Sequence, residues 1–319
     1  MAHELEIKNG VAQMAYVGEV PWHGLGTELQ PGATVEEILA AAGLNWEVGL
    51  YPAASVFEGE VITTDHFSLI RKDNKQVLDV VPQGWNPLQN SDAFDFFTRL
   101  TAEGSASMNT AGSIRDGEIV WGLAKMGETV DIVKGDPTES YLLLTNNHRY
   151  GKSISILLTP IRVVCMNTLT AALQGAAQKA VVKFAHNATF DPDLAHQALA
   201  LASDRFMAYT ERAKFLTTKK AEDEAFRRFL MQVFPAGGEA GKNNVPSLPA
   251  TKAYEARESQ PGAEFGAGTW WNAYNAVSYV TDHVLGQTLE SRLNSAWYGP
   301  NAEKKRKAFD LALEYAEAA

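Results

Sequence analysis

The sequence predicts an α+β fold, with an antiparallel, strand-rich N-terminal half and a mostly helical C-terminal half. Three observations carry this. Between Trp46 and Arg162 the apolar residues form short runs rich in Val, Ile, Tyr and Phe, broken by Gly, Asp-Asn and Asp-Gly turns. From Asp193 onward they recur at spacings of three and four, the period of a helix with one buried face. Strands and helices are also segregated along the chain rather than alternating, which argues against a doubly wound α/β fold. The predicted organisation is a mixed β/α domain over residues 1–190, opened by an N-terminal docking segment. A helical region over 191–319 packs on it, so that the two form one continuous domain or a closely joined pair.

The elements follow in order. "VPWHGLG" near the start crowds Pro21, Trp22, His23, Gly24 and Gly26 together, with glycines suited to positive φ and a close backbone approach. Thr34 with Glu37 forms a capping box for "VEEILAAAGL", which Gly43 ends. "WEVGLYPA", "SVFEG", "EVITTDHFSLIRK" and "KQVLDVV" read as strands. "SDAFDFFTRLTAEG" returns to helix, capped by Ser91 and stopped by Gly104. Asp116-Gly117, between alternating apolar runs, marks a hairpin. A second hairpin is expected around "HRYGK", between "SYLLLTNN" and "SISILLTPIRVV".

Beyond it, "MNTLTAALQGA" predicts a short helix N-capped by Asn167, and "KAVVKFAHN" a strand. Asp193 caps a long amphipathic helix reaching about Phe215, and "KKAEDEAFRRFLMQVF" forms the next one, ending at Pro235. Residues 236–251 read as a polar loop. Two final helices lie around "GTWWNAYNAVSYVTDHVLG" and "NAEKKRKAFDLALEYA". In the first, Trp270, Tyr274 and Val277 stand at helical spacing and read as core; the basic run in the second reads as a solvated face.

Composition narrows the function classes. The 319 residues are 45% hydrophobic and 21% charged, as in ordinary globular proteins, and a chain of this length buries a core without disulfides or metals. The single cysteine and the charged "MAHELEIKNG" start point to a cytoplasmic protein with no signal peptide or membrane span. Neither G-x-G-x-x-G nor a P-loop occurs, so no nucleotide cofactor is expected. The seven histidines are scattered without H-x-x-x-H spacing, so no metal site is expected either.

The net charge of −10 opposes nucleic acid at long range, but its distribution is uneven. Residues 1–139 hold 8 Lys/Arg against 21 Asp/Glu, whereas residues 140–190 hold five cations and no acid. Those five are Arg149, Lys152, Arg162, Lys179 and Lys183. With Tyr150 they form the candidate nucleic-acid-binding set: cations for phosphates and an aromatic plane for a base. Arg162, in an otherwise apolar strand, requires a carboxylate, carbonyl or phosphate partner. Cys165 is the candidate nucleophile of an enzymatic alternative, with His148 or His186 as base. Its apolar neighbours Val163, Val164 and Met166 favour instead a buried side chain.

Five ordered stretches carry a family likeness: "VPWHGLG", "TAGSIRDGEIVWGLAKM", "TNNHRYGKSISILLTPIRVVCMNTL", "WNAYNAVSYVTDH" and "GPNAEKKRKAF". Together they resemble the phage/plasmid-related proteins catalogued as domain of unknown function 932. The resemblance implies a gene of phages, prophages or plasmids acting in the bacterial cytoplasm, and it transfers no catalytic residue. The leading expectation is a non-enzymatic protein that binds single-stranded DNA in recombination, resembling annealing proteins of the Rad52 type and assembling as a homo-oligomer. The alternatives are a module docking on host or phage proteins and a Cys/His-dependent enzyme.

Overall fold

Local sequence signals build most of the first half. The computed structural model describes residues 6–8, 10–18, 25–162, 167–168, 182–184, 194–239, 243–286, 295 and 299–319. Strands β1 (Ile7–Lys8) and β2 (Val11–Ala12) form a small ribbon ahead of β3 (Met14–Val17) and β4 (Thr27–Leu29). Gly26, at φ +110°, brings the backbone before β4 so close to β3 that a Cβ there would lie 3.1 Å from the Met14 carbonyl oxygen. Helix α1 (Val35–Ala41) starts in the expected capping box. The Glu37 amide donates to Thr34 Oγ1 at 3.2 Å, and the Thr34 amide to Glu37 Oε2 at 2.8 Å.

Strands β5 (Val48–Phe57), β6 (Glu60–Arg71) and β7 (Gln76–Pro82) make a three-stranded antiparallel meander. Helix α2 (Asn90–Ala102) follows, starting two residues earlier than expected. Its N-cap is Gln89, not Ser91, and Gln89 makes no capping bond. The Gln89 side chain is held elsewhere: Oε1 accepts from the Val48 amide at 2.9 Å and Nε2 donates to the Val48 carbonyl at 3.1 Å. It thus mimics a strand neighbour on the edge of β5 and fixes the helix start to the small sheet.

The main sheet is built on two hairpins in sequence. Strands β8 (Ala106–Ile114) and β9 (Ile119–Val133) close around Asp116-Gly117 in a four-residue turn, with Ile114 paired to Ile119. Strands β10 (Asp136–Asn147) and β11 (Ile154–Arg162) close around "HRYGK". With β12 (Asn167–Thr168) the order is β12-β11-β10-β9-β8-β3-β4, antiparallel except for β3 with β4. A further strand, β13 (Val182–Phe184), also pairs with β11.

Alternation along these strands sorts side chains onto two buried faces. Val120, Ala124, Leu142 and Leu144 join α1, α2 and the small sheet in one core. Trp121, Leu123, Tyr141 and Leu143 form a second cluster on the other face. Gly122 lies on the first face, directly under α2, where a Cβ would come within 2.7 Å of Phe94 and 3.1 Å of Phe97. Gly122→Ala should therefore cost about 1–3 kcal/mol in chemical denaturation, by forcing the two rings off a packed sheet.

The second half consists of α3 (Leu194–Thr217), α4 (Asp223–Val233), α5 (Leu248–Ser259), α6 (Trp270–Tyr279) continued by a π-turn (Val280–Val284), and α7 (Pro300–Glu317). Their core holds Trp270, Tyr274 and Val277 as expected, with Tyr209 stacked on Phe309 at 5.3 Å. Ile132 of β9 joins that core, and the Trp271 indole donates to Asp136 Oδ2 of β10 at 3.1 Å.

Two further expectations are corrected. Residues 248–251, read as loop, open helix α5: Ser247 Oγ caps the Ala250 amide at 3.3 Å, and Pro249 sits in the first turn, where its missing N–H costs nothing. Asn167, read as a helix N-cap, instead lies in β12 opposite Arg162, because the outer edge of β11 is open there to a strand partner. The rest of the helix expected from Met166 lies outside the described residues, as does the capping residue Asp193. No helix among the described residues is long and apolar enough to cross a membrane.

Candidate nucleic-acid interface

The turn between β10 and β11 sits over the small sheet. Strand period continues one residue beyond β10, so His148 falls on the face of Leu142 and Leu144 and is fully buried. Its Nε2 lies 3.0 Å from Asn90 Oδ1 and its ring 5.2 Å from the ring of Trp46. The Asn90 amide donates to the Leu44 carbonyl at 3.1 Å, which turns its oxygen toward the imidazole. Asn146 donates to the Leu88 carbonyl at 3.1 Å beside it. His148, which the sequence offers as a base for Cys165, is therefore buried beneath the tip. It anchors the tip.

The next residues are exposed. Arg149 Nη1 donates to Glu118 Oε2 at 3.1 Å, and its Nε lies 4.0 Å from Asp79 Oδ2. The Tyr150 amide donates to the same Asp79 oxygen at 2.7 Å. Asp79 of β7 thus draws the loop onto the small sheet by its backbone. The Tyr150 ring is left 58% exposed, next to Gly151 and the exposed Lys152. Arg149 carries a partly compensated charge; Tyr150 and Lys152 face solvent.

Four of the six predicted positions gather here. Lys183 in β13 pairs with Ser155, three residues beyond Lys152, or about 10 Å along the strand. Arg162 stands apart at the far end of β11, paired with Thr138 and Asn167, about 23 Å past Ser155. The side chains of Arg162 and Lys183, and all of Lys179 and Cys165, lie outside the described residues. Among the described residues, no three His, Cys, Asp or Glu side chains gather as a metal site would require.

Sequence reasoning missed two buried charge clusters. In the first, Arg71 has no exposed surface. Its Nη1 donates to Glu6 Oε1 at 2.7 Å and Oε2 at 2.8 Å, and its Nε to Asp73 Oδ1 at 2.7 Å. The guanidinium lies over the Trp46 ring, 4.2 Å from its centre. Ser113 adds a hydrogen bond to Glu6 at 2.8 Å, and Lys8 pairs with Asp73 at 3.0 Å. The cluster ties the N-terminal segment to both sheets. Burial alone would lower the Arg71 pKa, but its bonds and charge interactions with Asp73 and Glu6 raise it.

In the second, Lys305 of α7 is fully buried and donates to Asp282 of the π-turn at 2.7 Å, while Asn301 Nδ2 donates to the Thr281 carbonyl at 2.8 Å. A signal for this was present in the sequence. Ala302, Lys305, Phe309, Ala312 and Ala316 follow the three-four spacing of a buried helix stripe, so one lysine of the basic run belongs to the inner face.

The "TNNHRYGK" and "TAGSIRDGEIVWG" stretches thus do structural work around Trp46, and they hold one exposed tip. A family model with the description "Domain of unknown function (DUF932)" matches residues 77–299, well over half of the chain. The chain belongs to that family. The matched range runs from β7 through the π-turn and contains the tip; Arg71 and Lys305 lie outside it. No curated protein and no solved structure matches the chain.

Proposed function

We propose that this member of the DUF932 family is a non-enzymatic protein that binds single-stranded nucleic acid at the β10–β11 tip. Its setting would be a phage or plasmid, as the resemblance of its motifs implies, and the process we assign to it there is recombination. One observation carries the reading. The Tyr150 ring stands free in solvent beside Lys152, and the strand holding Lys183 runs alongside the same hairpin. An exposed aromatic plane flanked by cations accepts a stacked base and its phosphates. Arg149 contributes less, because Glu118 and Asp79 already share its charge.

The test is fluorescence anisotropy of a labelled oligo(dT) titrated with protein at several salt concentrations. With about three phosphate contacts, log affinity should fall with log salt at a slope of about −2, or about 15-fold from 50 to 200 mM. Lys152→Glu should flatten that slope by about one contact, and Tyr150→Ala should weaken binding by about 1–3 kcal/mol at every salt concentration. Absence of binding at low salt with micromolar protein would rule the reading out. The protein-docking alternative is favoured by a different feature, the β5–β6 arm.

A further inference from the structure

We propose that copies of this chain associate head to tail, the β5–β6 arm of one copy seating against the β10–β11 tip of the next. Beyond the last residues that β7 covers, β5 and β6 run on as a two-stranded arm. His66 pairs with Pro82 at its base and Phe57 with Glu60 at its end, so the arm projects about 20 Å. Every residue from Ala54 to His66 is exposed, on both faces. At the end stand Val56, Phe57, Val61 and Ile62, between 49% and 74% exposed. A two-stranded ribbon with apolar side chains on both faces has no core of its own, and an exposed apolar group of this kind marks a contact surface.

Charge selects the occupant. From Val48 to Ile70 the chain has no lysine or arginine but carries Glu58, Glu60 and Asp65, so the arm is an apolar prong with an acidic rim. That rim repels nucleic acid and anionic membranes, and it repels a second arm in a two-fold contact. Its complement is an apolar surface with a cationic rim. This chain carries one at the β10–β11 tip, where the Tyr150 ring and Lys152 stand exposed together while Arg149 and the Tyr150 amide engage the nearby acids Glu118 and Asp79. Val56 and Val61, a cross-strand pair on one face of the arm, against Tyr150, with Glu58 of the turn near Lys152, joins two unlike surfaces of the same molecule and makes a heterologous contact.

Light scattering on a sizing column, without nucleic acid, reads the association over a range of protein concentrations. The wild-type chain should form species larger than a monomer, weakening as salt rises. Val61→Asp and Val56→Asp should each raise the dissociation constant about tenfold or more while leaving the thermal unfolding curve in place, because both side chains are exposed. The deciding arm is a mixture. Val61→Asp keeps the tip and loses the arm, whereas Lys152→Glu keeps the arm and loses the tip; each alone should be monomeric. Mixed, they should form a one-to-one dimer through the single intact arm–tip pair.

A wild-type monomer at all concentrations would overturn the proposal. So would arm variants that associate normally, a mixture that stays monomeric, or a Lys152→Glu variant that dimerises on its own, which is what a two-fold arm-to-arm contact gives. The arm and a nucleic acid share the tip and so compete for it; because Val61→Asp leaves the tip intact and uncovered, its binding of oligo(dT) separates failure of this inference from failure of the nucleic-acid reading.

Discussion

Arg71→Met is expected to lower stability by about 3–5 kcal/mol, read as a shift of the urea midpoint at neutral pH. The guanidinium is fully buried and satisfies Glu6, whose side chain is 8% exposed, together with Asp73. Removing it leaves the Glu6 carboxylate inside the protein with Ser113 as a remaining hydrogen-bond donor. It also strips the Trp46 ring of its stacked cation. The loss is large because a single surviving charge pays its desolvation without the attraction that offset it.

The same cluster sets a pH dependence. Burial would raise the Asp73 carboxyl, but its bonds and charge interactions with Arg71 and Lys8 hold it below the ordinary aspartate value. A depressed folded pKa contributes stability that is present above the ordinary value of about 3.9 and is lost as pH falls through the folded value. Wild-type stability should therefore drop steeply below about pH 4, and Arg71→Met should show a shallower drop there.

Asp282→Asn is expected to cost about 3 kcal/mol or more at pH 7, because it removes the carboxylate that receives the fully buried Lys305 ammonium. In the wild-type protein, burial already pulls the Lys305 pKa below the ordinary lysine value, and Asp282 offsets only part of this. In the variant the gap widens. Between the folded and unfolded pKa values the unfolded chain binds more protons, so stability should recover as pH rises toward the ordinary lysine range of about 10.4. Asp282→Asn with Lys305→Met, an apolar side chain of similar length, should regain most of the loss at pH 7. A double variant as unstable as the single one would show that the two side chains do not act as a pair.

These two clusters mark where sequence reading stopped. Local chemistry was legible: the Thr34–Glu37 capping box, the Asp116-Gly117 hairpin and the hairpin around "HRYGK" all follow from interactions spanning a few residues. Gln89 at the start of α2 was not, because its side chain answers to Val48, 41 positions away. The Arg71 cluster joins Glu6, Trp46 and Ser113 across as many as 107 positions, and no period or motif encodes such a meeting.

His148 and Lys305 differ from these. Strand period in the one and helix period in the other already placed each on a buried face. Their polar character outweighed the pattern when the sequence was read. For the candidate site, the register of β13 brought Lys183 beside the tip and left Arg162 at the far end of β11, a separation that charge counting along the chain does not contain.

The nucleic-acid reading is tested most directly by photocrosslinking a 4-thiothymidine oligonucleotide to the wild-type protein at low salt and mapping the adducts by mass spectrometry. Adducts on Tyr150 and within residues 149–152 and 182–184, lost in Tyr150→Ala and reduced in Lys152→Glu, are the predicted result. Crosslinks confined to the helical half, or none at a protein concentration that saturates anisotropy, would contradict it.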